Sequence, residues 1–198
     1  MARSQIAFWF EFASTYSYLS AMRVEQVAAD HDVEVIWRPF LLGPIFATQG
    51  WHSSPFNIYP AKGRYMWRDM ERICAARGLP FARPTVFPQN GLSAARVALA
   101  AKERMPAFVR AVYHAQFGEG ADIAAPATVE ACLKAADLSP DLMELAQNAE
   151  NKMALRQQTE AAASHGVFGA PSFLVNDELF WGDDRMEHAM AWANPQPS

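Results

Sequence analysis

Three short segments carry residue types and spacings suited to chemistry. The first, Phe10-Glu11-Phe12-Ala13-Ser14-Thr15-Tyr16-Ser17-Tyr18-Leu19, crosses from an apolar strand into a helix. At such a junction the first backbone N–H groups lack intrahelical partners and the helix dipole is positive, so an anion is stabilised there, whether a phosphate or a thiolate. No cysteine occupies the junction, so any thiolate must arrive on a ligand, and the Ser14 hydroxyl has a hydrogen bond to give it. Capping of the helix by Ser14 or Thr15 is the simpler role for the same residues. The second segment, Gly166-Val167-Phe168-Gly169-Ala170-Pro171-Ser172-Phe173, places a proline directly before a strand. In the cis form it leaves the N–H and C=O of Ala170 free for an extended, peptide-like ligand; an ordinary trans loop is the alternative. The third, Trp181-Gly182-Asp183-Asp184-Arg185-Met186, turns into the last helix. Its carboxylates either cap that helix or take a ligand's ammonium group while exposed N–H groups take its carboxylate.

The elements that must position these segments follow from periodicity. Ile6 to Phe12 and Val33 to Trp37 read as strands, with a helix over Thr15 to about His31 between them, which predicts a parallel, right-handed βαβ unit. A loop rich in Gly, Pro and aromatic residues is expected from Leu41 to Pro60. Helices follow at Gly63 to Arg77, about Leu92 to Phe117, Pro126 to Ala136 and Pro140 to Ser164, the last capped by Ser139. Pro80 to Asn90 is extended. Strands return at Pro171 to Val175 and Glu178 to Trp181, joined by the hairpin turn Asn176-Asp177, before a helix from Asp183 to Trp192. The layout is an α/β, thioredoxin-like fold (βαβ, then ββα) with an inserted all-helical domain. Residues 1–40 and 165–198 would form the thioredoxin-like domain and 41–164 the insertion.

Composition narrows the function. The chain has 198 residues, 51% hydrophobic and 12% aromatic, enough for a substantial core and an apolar pocket. Seventeen Lys and Arg against twenty-one Asp and Glu, with no basic block, argue against nucleic acid and anionic membrane as partners. The stretch from Ile6 to Phe12 is too short, and too interrupted by Glu11, for a signal or a span, so a soluble cytoplasmic protein is expected. Cys74 and Cys132 form no Cys-x-x-Cys and read as small buried hydrophobes. His31, His52, His114, His165 and His188 lack metal-ligand spacing, so no metal is expected.

Taken together, the segments resemble the 2-hydroxychromene-2-carboxylate isomerases, bacterial relatives of the kappa-class glutathione transferases within the DsbA-like thioredoxin-fold group. The family's strand-to-helix motif is matched with Ser14 at its active serine, its Gly-x-Phe-Gly-x-Pro loop by Gly166 to Pro171, its terminal turn by Trp181 to Arg185, and its Pro-x-Lys-Gly-x-Tyr-Met helix start by Pro60 to Met66. Thr15 stands where the family has proline. Asp183 stands where relatives often have Ser, Asn or Gln, and beside Asp184 it would repel a ligand carboxylate unless its side chain turned outward or Arg185 screened it.

The resemblance implies a glutathione cofactor. Ser14 would hold the sulfur, Ala170 before Pro171 the cysteinyl backbone, and Trp181, Gly182, Asp183 and Asp184 the γ-glutamyl end. It implies a small-molecule substrate from the degradation of aromatic compounds, and a homodimer. The thiolate would add reversibly to the conjugated double bond of an unsaturated aryl oxo acid, allowing cis-trans isomerisation. Arg38 and Lys62 are the candidate cations for the substrate carboxylate. Phe46, Trp51, Phe56 and Tyr59, with Trp67 and Phe87, are candidates for an apolar slot. A kappa-like glutathione transferase and a non-catalytic glutathione-binding protein are the alternatives.

Overall fold

The computed structural model describes residues 3–194. Met1, Ala2 and the 195–198 end of the expected thioredoxin-like segments lie outside the described residues. Four strands form one sheet in the order β2-β1-β3-β4. Strand β1 (Ser4–Phe10) runs parallel to β2 (Val33–Pro39) and antiparallel to β3 (Ser172–Val175), which forms a hairpin with β4 (Glu178–Trp181). Asn176 and Asp177 both have positive φ, 46° and 69°, as the tight turn between twisted strands requires.

β1 is apolar at nearly every position because both of its faces are covered. Ile6, Phe8 and Phe10 point into the main core, where Phe8 stacks on Phe173 at 5.3 Å and meets Trp37 edge-on at 5.0 Å. Trp9 points the other way, into a smaller cluster with Phe40, Ile45, Ala162 and Val167. The main core is continuous from the sheet into the helical segment, through Met66, Met70, Phe108 and Val112.

Several expected helices divide. The crossover forms α1 (Thr15–Ala21) and α2 (Val24–Asp30), because Arg23 leaves helical geometry at φ −135° and sends its guanidinium across to Asp183 and Glu187. The expected loop after Leu41 contains α3 (Leu42–Thr48) and α4 (Pro55–Ile58). Pro44 and Pro55 lie in their first turns, where a missing N–H costs nothing, and Ser54 caps α4. Helix α5 begins at Pro60 and ends at Arg77, with Gly78 left-handed at φ 65°.

The expected helix from Leu92 to Phe117 breaks into α6 (Leu92–Ala100) and α7 (Met105–Tyr113), followed by a π turn over His114–Gly118. Pro106, in the first turn of α7, cannot continue a helix that enters it, and Lys102 takes up the bend at φ 49°. After α8 (Pro126–Ala135), the segment expected to be capped by Ser139 is a short α9 (Leu142–Leu145) and a separate α10 (Ala149–Ser164). Asn148 caps α10 by accepting from the Asn151 N–H at 2.7 Å; Ser139 only closes a turn onto Asp141. The last segment starts as a 3-10 turn, Asp183–Arg185, and continues as α11 (Met186–Ala193). Cys74 and Cys132 are buried, and burial pushes each thiol up to about 11. Among the described residues no helix is long and apolar enough to cross a membrane.

Candidate active site

One cavity of about 1390 Å³ opens between the carboxyl end of β1 and the segment that follows α3. Ser14 stands at its inner wall, in extended geometry just before α1. Its hydroxyl accepts from the Ser17 N–H at 3.2 Å and donates to the Ala170 carbonyl at 2.8 Å. The two roles read from the sequence are therefore combined: Ser14 caps the helix and faces the cavity. The peptide bond between Ala170 and Pro171 is cis, and the Ala170 N–H has no acceptor among the described residues.

The β4 end of the wall depends on two glycines. A side chain on Gly169 would meet the Trp181 indole nitrogen at 2.4 Å. Gly182 sits at φ 114°, donates to the Pro171 carbonyl at 3.0 Å, and would drive a Cβ to 2.5 Å from an Asp184 oxygen. Beyond it, the N–H groups of Asp183 and Asp184 are without acceptors among the described residues. Trp181 is half-exposed and packs on Phe168 at 4.9 Å, forming a lip.

The Asp183 side chain turns neither outward nor toward Arg185. It is 5% exposed and turned inward, bonded to Arg77 at 2.6 Å, Arg23 at 3.4 Å and the Ser20 hydroxyl at 2.9 Å. Arg185 pairs with exposed Asp184 at 3.2 Å instead. The repulsion expected toward a ligand carboxylate is thus relieved by two arginines from α5 and the bend before α2, and what Asp183 offers the cavity is its backbone.

Of the two candidate cations, only Lys62 lines the cavity, its ammonium 5.0 Å over the Tyr59 ring. Arg38 is not among the lining residues: in register with Trp9, it shares that residue's face of the sheet and reaches Gln158 on α10 at 3.4 Å. Phe46, Trp51, Phe56 and Phe87 do line it; Tyr59 stands outside, and Trp67 is buried behind Phe87. Tyr16 donates to Asp69 at 2.9 Å, and burial together with that carboxylate pushes its phenol well above its usual range.

Glu11 carries no assigned role in the sequence pattern beyond interrupting an apolar run. Glu11 lines the cavity and is 8% exposed; its carboxyl accepts from the Ala13 N–H at 3.1 Å and is pushed up by burial to about 7. A lone carboxylate inside an apolar run was the available signal.

A family model described as DSBA-like thioredoxin domain matches residues 5–190. A 2-hydroxychromene-2-carboxylate isomerase of Sphingobium xenophagum is 28% identical over 183 residues, 92% of this chain and 94% of that protein. Glutathione S-transferase kappa 1 of Homo sapiens is 25% identical, covering 97% and 94%. A solved 2-hydroxychromene-2-carboxylate isomerase superposes with a TM-score of 0.82 at 25% identity, covering 95% of each chain.

Proposed function

The chain belongs to the DSBA-like thioredoxin domain family, and from that membership and the site we propose that it is a glutathione-dependent cis-trans isomerase of the 2-hydroxychromene-2-carboxylate type. The observation that carries this reading is a thioredoxin-type site with no cysteine: a serine hydroxyl and a cis-proline loop face each other across 2.8 Å, while both thiols of the chain are buried elsewhere. Such a site has nothing to exchange with a disulfide. It is equipped to hold a thiol brought to it.

The residues present fit glutathione. The N–H and C=O of Ala170 suit the backbone of a cysteinyl unit. The free N–H groups of Asp183 and Asp184 suit a carboxylate, and the exposed Asp184 side chain suits an ammonium group. When bound, glutathione would supply a nucleophilic thiolate that adds reversibly to the conjugated double bond of an unsaturated aryl oxo acid.

Around that chemistry the protein's own groups have distinct tasks. Ser14 has one hydroxyl proton, now given to Ala170; once a ligand N–H takes that carbonyl, the hydroxyl is free to turn toward sulfur. Lys62 holds the substrate carboxylate, and Phe46, Trp51, Phe56 and Phe87 take the ring and exclude water. Likeness to the human kappa-class transferase supports a second reading, in which glutathione is consumed.

One experiment separates them. A chromene carboxylate is mixed with enzyme and a small molar fraction of glutathione, and its ultraviolet spectrum is followed. The isomerase reading expects full conversion with glutathione recovered; stoichiometric loss of glutathione supports the transferase, and conversion that ignores glutathione overturns both.

A further inference from the structure

We propose that Glu11 is the proton acceptor of this cavity, taking onto its carboxylate the proton that a bound thiol gives up beside Ser14. The inference rests on the glutathione reading above and deepens it.

The geometry places Glu11 in the same turn as Ser14. It lies three residues before Ser14 in one tight turn, closed by the Ser14 N–H donating to the Glu11 carbonyl at 2.9 Å. The side chain curls back over that turn, and Ala13 N–H holds Oε2. The other oxygen, Oε1, has no hydrogen-bond partner among the described residues. It faces Gly91 at the head of α6, where even a Cβ would stand 3.6 Å away, so the wall there is bare backbone.

Among the described residues only the Ala13 N–H offsets the charge of an ionised Glu11. No Arg, Lys or His pairs with it among the described residues. The groups placed against it are the Ala13 N–H in its own turn, the Gly91 backbone before α6, and Tyr113 on α7, whose hydroxyl donates to the Glu11 carbonyl at 2.9 Å. Burial and Glu11 itself push the Tyr113 phenol far up, so it stays neutral. Lys62 and Asp69, both on α5, with Asp183 and Asp184 after β4, are the other charged residues that line the cavity. A carboxylate buried this way costs the fold stability, which is the signature of a group kept for chemistry. Burial also sets its proton affinity at about 7, within reach of a thiol's.

The step balances without an outside reagent. The S–H bond breaks, its electron pair stays on sulfur, and an O–H bond forms at Oε1. One negative charge thereby moves from Glu11 to a sulfur that Ser14 can hold, and the total charge of the cavity is unchanged. Ionisation of the thiol then relieves the burial cost of Glu11 instead of adding a second charge beside it.

The test counts protons. Glutathione is titrated into the protein at about pH 8, where Glu11 is ionised and a free thiol is mostly not. Calorimetry in buffers of different ionisation enthalpy gives protons released, and ultraviolet absorbance gives thiolate formed. The expected ratio is near zero for the unmodified protein, because the thiolate formed beside Glu11 raises its proton affinity further and keeps the proton on it at this pH, and about one for Glu11→Gln, which keeps the bond to Ala13. The unmodified protein decides by itself if the variant does not fold: a ratio of about one there overturns the inference and leaves the glutathione reading standing. A ratio near zero in both proteins assigns the proton to another group and also overturns it. Absence of binding in both defeats the glutathione reading, and this inference with it.

Discussion

Glu11 and Asp183 are acidic residues at the wall of one cavity, nearly equal in burial at 8% and 5% exposed, and their carboxylates are opposite in surroundings. Asp183 is bonded by Arg77, Arg23 and Ser20, tying together α5, the bend between α1 and α2, and the turn after β4. Among the described residues Glu11 has one backbone N–H partner and no cation. The difference separates two uses of a buried charge. A compensated carboxylate fixes architecture, here the turn that presents the free N–H groups of Asp183 and Asp184. An uncompensated one is held at a cost and left able to change its protonation.

Substitutions at the two positions should therefore move stability in opposite directions. Asp183→Ala strands two arginines and is expected to lower stability by about 3 kcal/mol, the low end for a broken buried pair because both guanidiniums keep some water. Urea unfolding checks it, and a loss below about 1 kcal/mol would reduce the network to a surface ion pair.

Glu11→Gln should raise stability in a pH-dependent way. In the unfolded chain this carboxyl titrates near 4.5 and in the folded protein at about 7. Below the first value both states carry the proton and nothing is lost. Between the two, the unfolded state ionises first, so the unmodified protein weakens as pH rises, and the loss is complete above the second. The variant lacks this term and should gain up to about 3 kcal/mol on the unmodified protein at pH 8, and nothing near pH 4. Parallel stability curves for the two would break the contrast. Ser20→Ala, which removes one of several partners of Asp183, should cost only about 1 kcal/mol by the same urea assay.

The contrast was half visible in the sequence. Ser14, the Ala170-Pro171 bond and the Gly182 turn could be read because each is a local signal, a residue type at the end of an element. The strands, the hairpin turn at Asn176-Asp177 and the stop at Gly78 were legible for the same reason. The division of the helices was written in Pro106 and Asn148, but a continuing apolar period masked it. What local pattern cannot contain is the partner of a buried charge. Arg23 and Arg77 lie 160 and 106 residues from Asp183, and the lack of any cation near Glu11 is a property of the whole packing. The side of the sheet that Arg38 takes is likewise absent from local pattern, since only its register with Trp9 shows it.

The central claim is that Ser14 holds a borrowed thiolate, and the pH titration of bound glutathione tests it most directly. Ultraviolet absorbance of the thiolate should show a midpoint well below the roughly 8.5 of a free thiol in the unmodified protein, moving back toward that value in Ser14→Ala. Glutathione that binds both proteins with the same midpoint as free thiol would contradict it.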